Sequence, residues 1–295
     1  IGENVSIGPY SIIGPNVVIE KNSIIHSHVI IDGNTKIGEE NEFYPFSAIG
    51  MKPQHLKYSG ELTDLIIGNN NIFRENVTVH PGTLVGTKKT IIGDNNFLMV
   101  GSHVAHDCLV GNNTVFVNNA VIGGHVEIDD YVYLGGQSAV HQFCRVGKHA
   151  IIGAGTTIDG DVIPYSSAIG SRGHLSGLNL VGLRRRSFSK DDIKKLRNVY
   201  RLLFAPEGTF NERFSEVREN FHKDNLIREI LDFLEDNSNY STVYGRVVGF
   251  NYKDGRIQLW GVKSRHRSHQ VTQKSSLERL KFHISGYEVT TVYGV

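Results

Sequence analysis

Residues 92–128 read IGDNNFLMVGSHVAHDCLVGNNTVFVNNAVIGGHVEI, with a bulky apolar residue at every sixth position: Ile92, Leu98, Val104, Val110, Phe116, Ile122 and Ile128. The beat continues through Leu134, Val140, Val146, Ile152 and Ile158. Upstream it runs from Ile1 through Ile7, Ile13, Ile19, Ile25, Ile31, Ile37, Phe43 and Ile49, and resumes at Ile67, Phe73 and Val79. Every one of these positions is apolar although such residues make up only 39% of the chain, so chance is not the source. A six-residue period suits neither a helix nor an alternating strand. It suits a short strand and a corner, repeated as a solenoid whose anchors all point inward. Three hexapeptides then make one triangular coil, and residues eighteen apart stack at about 4.8 Å.

Two interruptions carry information. Residues 50–66 (GMKPQHLKYSGELTDLI) keep the eighteen-residue phase but lose the apolar beat, and residues 80–91 (HPGTLVGTKKTI) add an odd length. Both read as loops protruding from a rigid scaffold, a common place for binding residues.

Composition bounds the rest. The chain has 295 residues and a formal net charge of +1, enough for one large domain and an appendage. No run of eighteen apolar residues reads as a membrane span. The first residue is Ile and the repeat is already running, so a natural N-terminus is expected to precede it. Cys108 and Cys144 lie two coils apart, about 9–10 Å by the strand spacing, too far for a disulfide. They read as buried thiols of a reducing compartment.

The expected organisation is a solenoid over 1–164, a Gly- and Ser-rich connection over 165–187 that ends in Arg184–Arg186, a helical domain over 188–240, and an extension over 241–295 of unassigned role. Ser189 with Asp192 and Thr209 with Glu212 read as capping boxes opening two helices, and a third segment covers about 225–236. In the extension, Lys253-Asp254-Gly255 reads as a hairpin turn between 247–252 and 256–260.

The chemistry collects on three successive coils. His106, Gly124 and Gln142 are eighteen apart and form one column; His125 and His141 sit one residue to either side of it, and His103 lies on the neighbouring face. A lone histidine in a repeat is more often structural. Several polar groups aligned within about 5–10 Å favour a site.

The stretches Ser102–Cys108, Gly123–Val126, Gly135–Cys144 and Gly182–Arg186, with the loop Pro53–Glu61, make the sequence similar to the UDP-N-acetylglucosamine O-acyltransferases that start lipid A biosynthesis. The match covers about residues 1–240. The resemblance implies a left-handed parallel β-helix followed by a small helical domain, assembled as a homotrimer with active sites between subunits. It implies transfer of a 3-hydroxyacyl group from acyl carrier protein to the 3-hydroxyl of the nucleotide sugar, in the cytoplasm, without cofactor or metal, and with no nucleic-acid partner. By the same resemblance His106 matches the general base, Asp107 its orienting partner and Gly124 the oxyanion donor. Lys57, His103, His125, His141, Gln142, Asn179, Arg185 and Arg186 match substrate contacts, and Ala154 falls where acyl length is set, implying a pocket of intermediate depth. An imidazole suits the task because it takes up an alcohol's proton near neutrality, and planar guanidinium forks suit a diphosphate. Bonding between the consecutive side chains His106 and Asp107 requires a corner there.

Two positions depart from the family pattern: His55 where many members carry Asp, and Val181 where an acid often stands beside Asn179. They raise a 3-amino sugar acceptor as an alternative. The other readings are a related N-acyltransferase of the same pathway, a γ-type carbonic anhydrase with zinc on His103, His106 and His125, and a solenoid without catalysis.

Overall fold

A computed structural model describes residues 1–205 and 207–235 and, beyond them, the backbone of four strands, Gly249–Lys253, Arg256–Trp260, Lys281–Ile284 and Tyr287–Thr290. Strands, most of them two residues long, stack into three sheets that form the faces of a triangular β-helix, parallel throughout except for the last strand of the first. The first face holds ten strands from Ser6–Ile7 onward, the second eight from Ile12–Ile13, and the third seven from Val18–Ile19. Ile7 pairs with Ile25 and Val104 with Ile122, the eighteen-residue step of an ordinary coil. The anchors fill the prism axis: Leu98, Val104, Phe116 and Leu134 are wholly buried. The fold is therefore the β-helix that the beat predicts, with helices after it.

The corners are made by left-handed backbone. Asn95, Asn113, Tyr131 and His149 take positive φ on one edge, and Asp107, His125 and Phe143 on another. Asn and Asp tolerate this region best, which fits the Asn-rich corners. Inside, a ladder of amides satisfies the backbone at the turns: Asn71 donates to the Asn41 side chain at 3.0 Å, and the Asn96 N–H to that of Asn71 at 2.9 Å.

The insertions correct the spacing argument. Ile37 pairs with Ile67, thirty residues on, so the first loop is not part of an eighteen-residue coil. It is a twelve-residue insertion, and because twelve is two hexapeptides the beat resumes in phase. Phe73 pairs with Leu98, twenty-five residues on, so the second loop adds seven. The β-helix also continues past Pro164: Ser166–Ile169 joins the first face, pairing Ile152 with Ala168 across a coil shortened to sixteen residues. That shortening, and not the end of the solenoid, erases the beat. The connection at 165–187 is accordingly regular. His174–Leu178 pairs antiparallel with Ser166–Ile169, and helix α1 (Leu180–Arg185) follows, capped by Asn179.

Helices α2 (Lys190–Leu203) and α3 (Phe210–Phe221) both open on the expected capping boxes, and α4 (Asn225–Glu235) completes the helical region. Ile193, Leu196, Val199, Tyr200 and Leu203 form the buried stripe of α2. The β-helix holds α4 through Lys148 and Tyr165, both bonded to Glu229, and through the Arg145 guanidinium 4.4 Å over the Phe233 ring. Cys108 and Cys144 are buried free thiols, and burial raises both, Cys108 to about 12. Gly249–Lys253 and Arg256–Trp260 pair antiparallel as the hairpin reading requires, and so do Lys281–Ile284 and Tyr287–Thr290, while turn residues 254–255 and the rest of the extension lie outside the described residues. No described helix is long and apolar enough to cross a membrane.

Candidate active site

Asp107 stands at φ 60° on the corner between the second and third faces. The left-handed turn swings two consecutive side chains to one side, and His106 Nδ1 meets Asp107 Oδ2 at 2.8 Å. The carboxylate side chain is fully buried. Burial alone would push its carboxyl up; the hydrogen bonds from His106 and Thr83 outweigh that and hold it at about 2. Thr83 donates its N–H to Oδ1 at 3.0 Å and its hydroxyl to Oδ2 at 2.7 Å. The Asp107 N–H in turn donates to Thr90 Oγ1 at 2.8 Å. Thr83 and Thr87 come from the second insertion and Thr90 from the third-face strand that follows it, Lys89–Ile92, and sequence spacing gave no sign of them.

One coil on, Gly124 lies directly against His106. A Cβ there would sit 2.5 Å from His106 Cε1 and 2.8 Å from Nε2, so only glycine leaves the ring in place. His125 presents its ring edge-on to His106 with centroids 5.2 Å apart, and Nε2 lies 3.9 Å from Asp107 Oδ2. Its other face stacks on Phe143 at 4.5 Å. Burial lowers the His125 pKa, with Asp107 opposing. From the first insertion, His55 packs its ring 5.0 Å from that of His106, and its Nδ1 is buried without a hydrogen-bond partner. Both insertions therefore fold onto the same corner.

His103, on the second face, meets Thr78 Oγ1 through Nδ1 at 2.7 Å and packs against His80 at 4.9 Å. His80 is a further buried histidine that the sequence reading missed; burial, with His103 and His106 nearby, lowers its pKa to about 4. The missing signal was the twenty-five-residue coil that sets Thr78 beside His103. His141, Gln142 and Lys57 are exposed, with His141 Nδ1 3.2 Å from the Gln142 carbonyl.

The remaining candidates lie on other edges of the prism. Arg186 belongs to the corner between the third and first faces, where Nη2 donates to the Tyr131 carbonyl at 2.8 Å and the guanidinium lies 5.4 Å from the Tyr131 ring. Its Nη1 is buried and unpartnered. Asn179 supports this segment, accepting from the Gly182 N–H at 3.0 Å and donating to the His149 carbonyl at 2.9 Å. Arg185 is exposed. Ala154 is exposed on the third edge, between the first and second faces. A single chain thus gathers His55, His103, His106, Asp107, Gly124 and His125, and leaves Ala154, Asn179, Arg185 and Arg186 at separate corners. A cleft of about 690 Å³ lies elsewhere, between the third face and α4, lined by Glu127, Arg145, Lys148, Glu229 and Phe233 among others.

The zinc reading asked for His103, His106 and His125. Among the described residues the group whose ligand atoms fall within 4.8 Å is instead His106, Asp107 and His125. Both Asp107 oxygens already accept hydrogen bonds, and His103 is turned to Thr78. The donor set suits proton transfer better than metal binding.

Comparison with known proteins gives consistent matches. Residues 161–243 match the family model of UDP-N-acetylglucosamine O-acyltransferase domain 2, and residues 1–33 and 89–124 match the bacterial transferase hexapeptide model. The UDP-N-acetylglucosamine O-acyltransferase structure from Moraxella catarrhalis is 43% identical, covering 78% of this chain and 89% of that one, with a TM-score of 0.75. LpxA from Acinetobacter baumannii is 40% identical over 84% of this chain and 95% of its own, with a TM-score of 0.78. The UDP-N-acetylglucosamine acyltransferase of Francisella novicida is 35% identical over 84% and 90%, with a TM-score of 0.79.

Proposed function

This chain belongs to the UDP-N-acetylglucosamine O-acyltransferase family, and we propose that it moves a 3-hydroxyacyl group from acyl carrier protein to the 3-hydroxyl of UDP-N-acetylglucosamine, the opening step of lipid A biosynthesis, in the cytoplasm. The observation that carries the mechanism is the His106–Asp107 pair at a left-handed corner with Gly124 against the ring. Asp107 accepts the Nδ1 hydrogen and fixes the tautomer, leaving Nε2 as the base. Nε2 takes the proton of the sugar hydroxyl as the oxygen attacks the thioester carbonyl. The tetrahedral oxyanion is met by the Gly124 N–H. Collapse breaks the C–S bond, and the imidazolium returns its proton to the departing thiolate.

Three copies acting together complete the site. His106 and the Arg185–Arg186 segment stand on different corners of one prism, so a cleft between neighbouring copies is what lets both reach one substrate. There Arg185 and Arg186 hold the diphosphate, Asn179 supports them through α1, and His103, His125, His141, Gln142 and Lys57 line the sugar nucleotide. Ala154 bounds the acyl tail. Sedimentation together with an acyl-transfer assay over 3-hydroxyacyl carrier proteins of graded length tests this. A trimer with product at a preferred length is expected; a well-folded monomer with full activity would refute the shared cleft.

His55 favours a second acceptor reading. Its Nδ1 beside His106 is buried without a partner, and an amine, unlike a hydroxyl, keeps a second N–H for such an acceptor after giving one proton to His106. Turnover of the 3-amino and 3-hydroxy sugars in parallel decides it, and a strong preference for the hydroxyl sugar removes the amine reading.

A further inference from the structure

The reaction as written uses His106, Asp107 and Gly124, and leaves unexplained why a seven-residue insertion folds onto a buried carboxylate. The terminal torsion of an aspartate is soft and nearly two-fold, so hydrogen bonds must set the plane of the carboxylate. Here Oδ2 receives His106 Nδ1 and the Thr83 hydroxyl, and Oδ1 receives the Thr83 N–H, with the Thr87 hydroxyl at 3.2 Å. Thr87 has a single hydroxyl proton, and the Lys89 carbonyl at 2.7 Å is its closer acceptor, so Thr83 is the principal anchor. It grips both oxygens at once, from backbone and side chain. Thr83 and Thr90 are completely buried, so water does not compete for these bonds. The loop also closes over the carboxylate at Gly86, where a Cβ would fall 2.4 Å from Asp107 Cγ.

We propose that Thr83 is a positioning residue for acyl transfer: its two donors lock the plane of the Asp107 carboxylate, so that Oδ2 holds the Nδ1 hydrogen of His106 and Nε2 keeps its lone pair toward the acceptor. The claim rests on the reading of His106 as the base. The insertion at 80–88 is then a clamp on the catalytic pair as well as a wall of the site. Without the Thr83 hydroxyl the carboxylate rotates, the imidazole samples the other tautomer, and the fraction of enzyme with a competent base falls.

The test is a double-mutant cycle on the full chain. Thr83→Val keeps the shape and the N–H but removes the hydroxyl, and Thr83→Ser restores it. The expected result is a kcat lowered about tenfold in Thr83→Val with KM unchanged, the size of a weakened charge-assisted hydrogen bond, and near-parental kcat in Thr83→Ser. In the Asp107→Ala background Thr83→Val should cost nothing further, because Thr83 acts through the carboxylate. An equal loss in both backgrounds would show a merely structural role and overturn the proposal. Ring ¹⁵N shifts of His106, assigned by their disappearance in His106→Ala and read in alkaline buffer, need no substrate. The Nδ1–H tautomer should dominate in the parent and give way to a mixture in Thr83→Val; an unchanged tautomer would also overturn the proposal. A parent without acyl transfer would refute the reaction alone, and the tautomer measurement would still decide the positioning claim.

Discussion

Replacing Gly124 by alanine puts one methyl group where the His106 ring lies. The new Cβ would stand 2.5 Å from His106 Cε1, against an ordinary contact of 3.4 Å or more, so the ring must retreat by roughly 1 Å. It has little room to do so. Nδ1 is tied to Asp107 at 2.8 Å, and the ring is flanked by His125 and His55 at centroid distances of 5.2 and 5.0 Å. Gly124 does not stand at positive φ, so alanine brings no backbone strain of its own and the coil should still form. A displacement of about 1 Å at a reacting atom costs on the order of 10²-fold in rate. We therefore expect Gly124→Ala to lower kcat about a hundredfold, with a melting temperature close to the parent's. Steady-state acyl transfer alongside calorimetry measures both. A variant within about threefold of parental kcat would refute the placement of the base under Gly124.

Three further outcomes follow from the same geometry. The Asp107 carboxyl is depressed to about 2, so its contribution to stability is complete above its unfolded pKa and lost as pH falls from about 4 to about 2; the shift corresponds to about 2 kcal/mol, and urea melts of Asp107→Asn should lack that step. His80 and His149 are neutral in the fold, with burial as the main cause of pKa values near 4. Their contribution is complete above the unfolded value and is lost as pH falls from about 6.5 to about 4, so His80→Gln with His149→Gln should flatten the thermal stability profile across that window; an unchanged slope would contradict it. Phe116, wholly buried on the axis, should cost about 3–5 kcal/mol when truncated to alanine, read as a lowered denaturation midpoint; a loss under about 1 kcal/mol would mean that the axis is loosely packed.

The solenoid was legible because each anchor performs one task, filling the axis, and the task recurs every six residues. Corner chemistry was legible for a related reason: with coils of eighteen, His106, Gly124 and His125 fall together by counting. What escaped had left the period. A twelve-residue insertion is two hexapeptides long, so the beat stays in phase across the first loop and does not reveal that Ile37 pairs with Ile67, thirty residues on. The sixteen-residue coil that returns Ala168 to the first face hid two strands beyond Pro164. Thr83 was missed because it lies inside the second insertion, and His80 because that insertion stretches the step to the next coil from eighteen residues to twenty-five; only the folded chain shows what they meet. Asn179 is a different case. Its helix-capping geometry depends on α1, a six-residue helix with no apolar period of its own.

The central claim is that His106, oriented by Asp107, is the base. Its most direct test is kcat for acyl transfer to UDP-N-acetylglucosamine in His106→Ala, with KM and melting temperature measured on the same preparation. A fall of about 10²–10⁴-fold in kcat, with oligomeric state and substrate binding unchanged from the parent, is the expected result; activity within about tenfold of the parent would contradict it and assign the proton to another group.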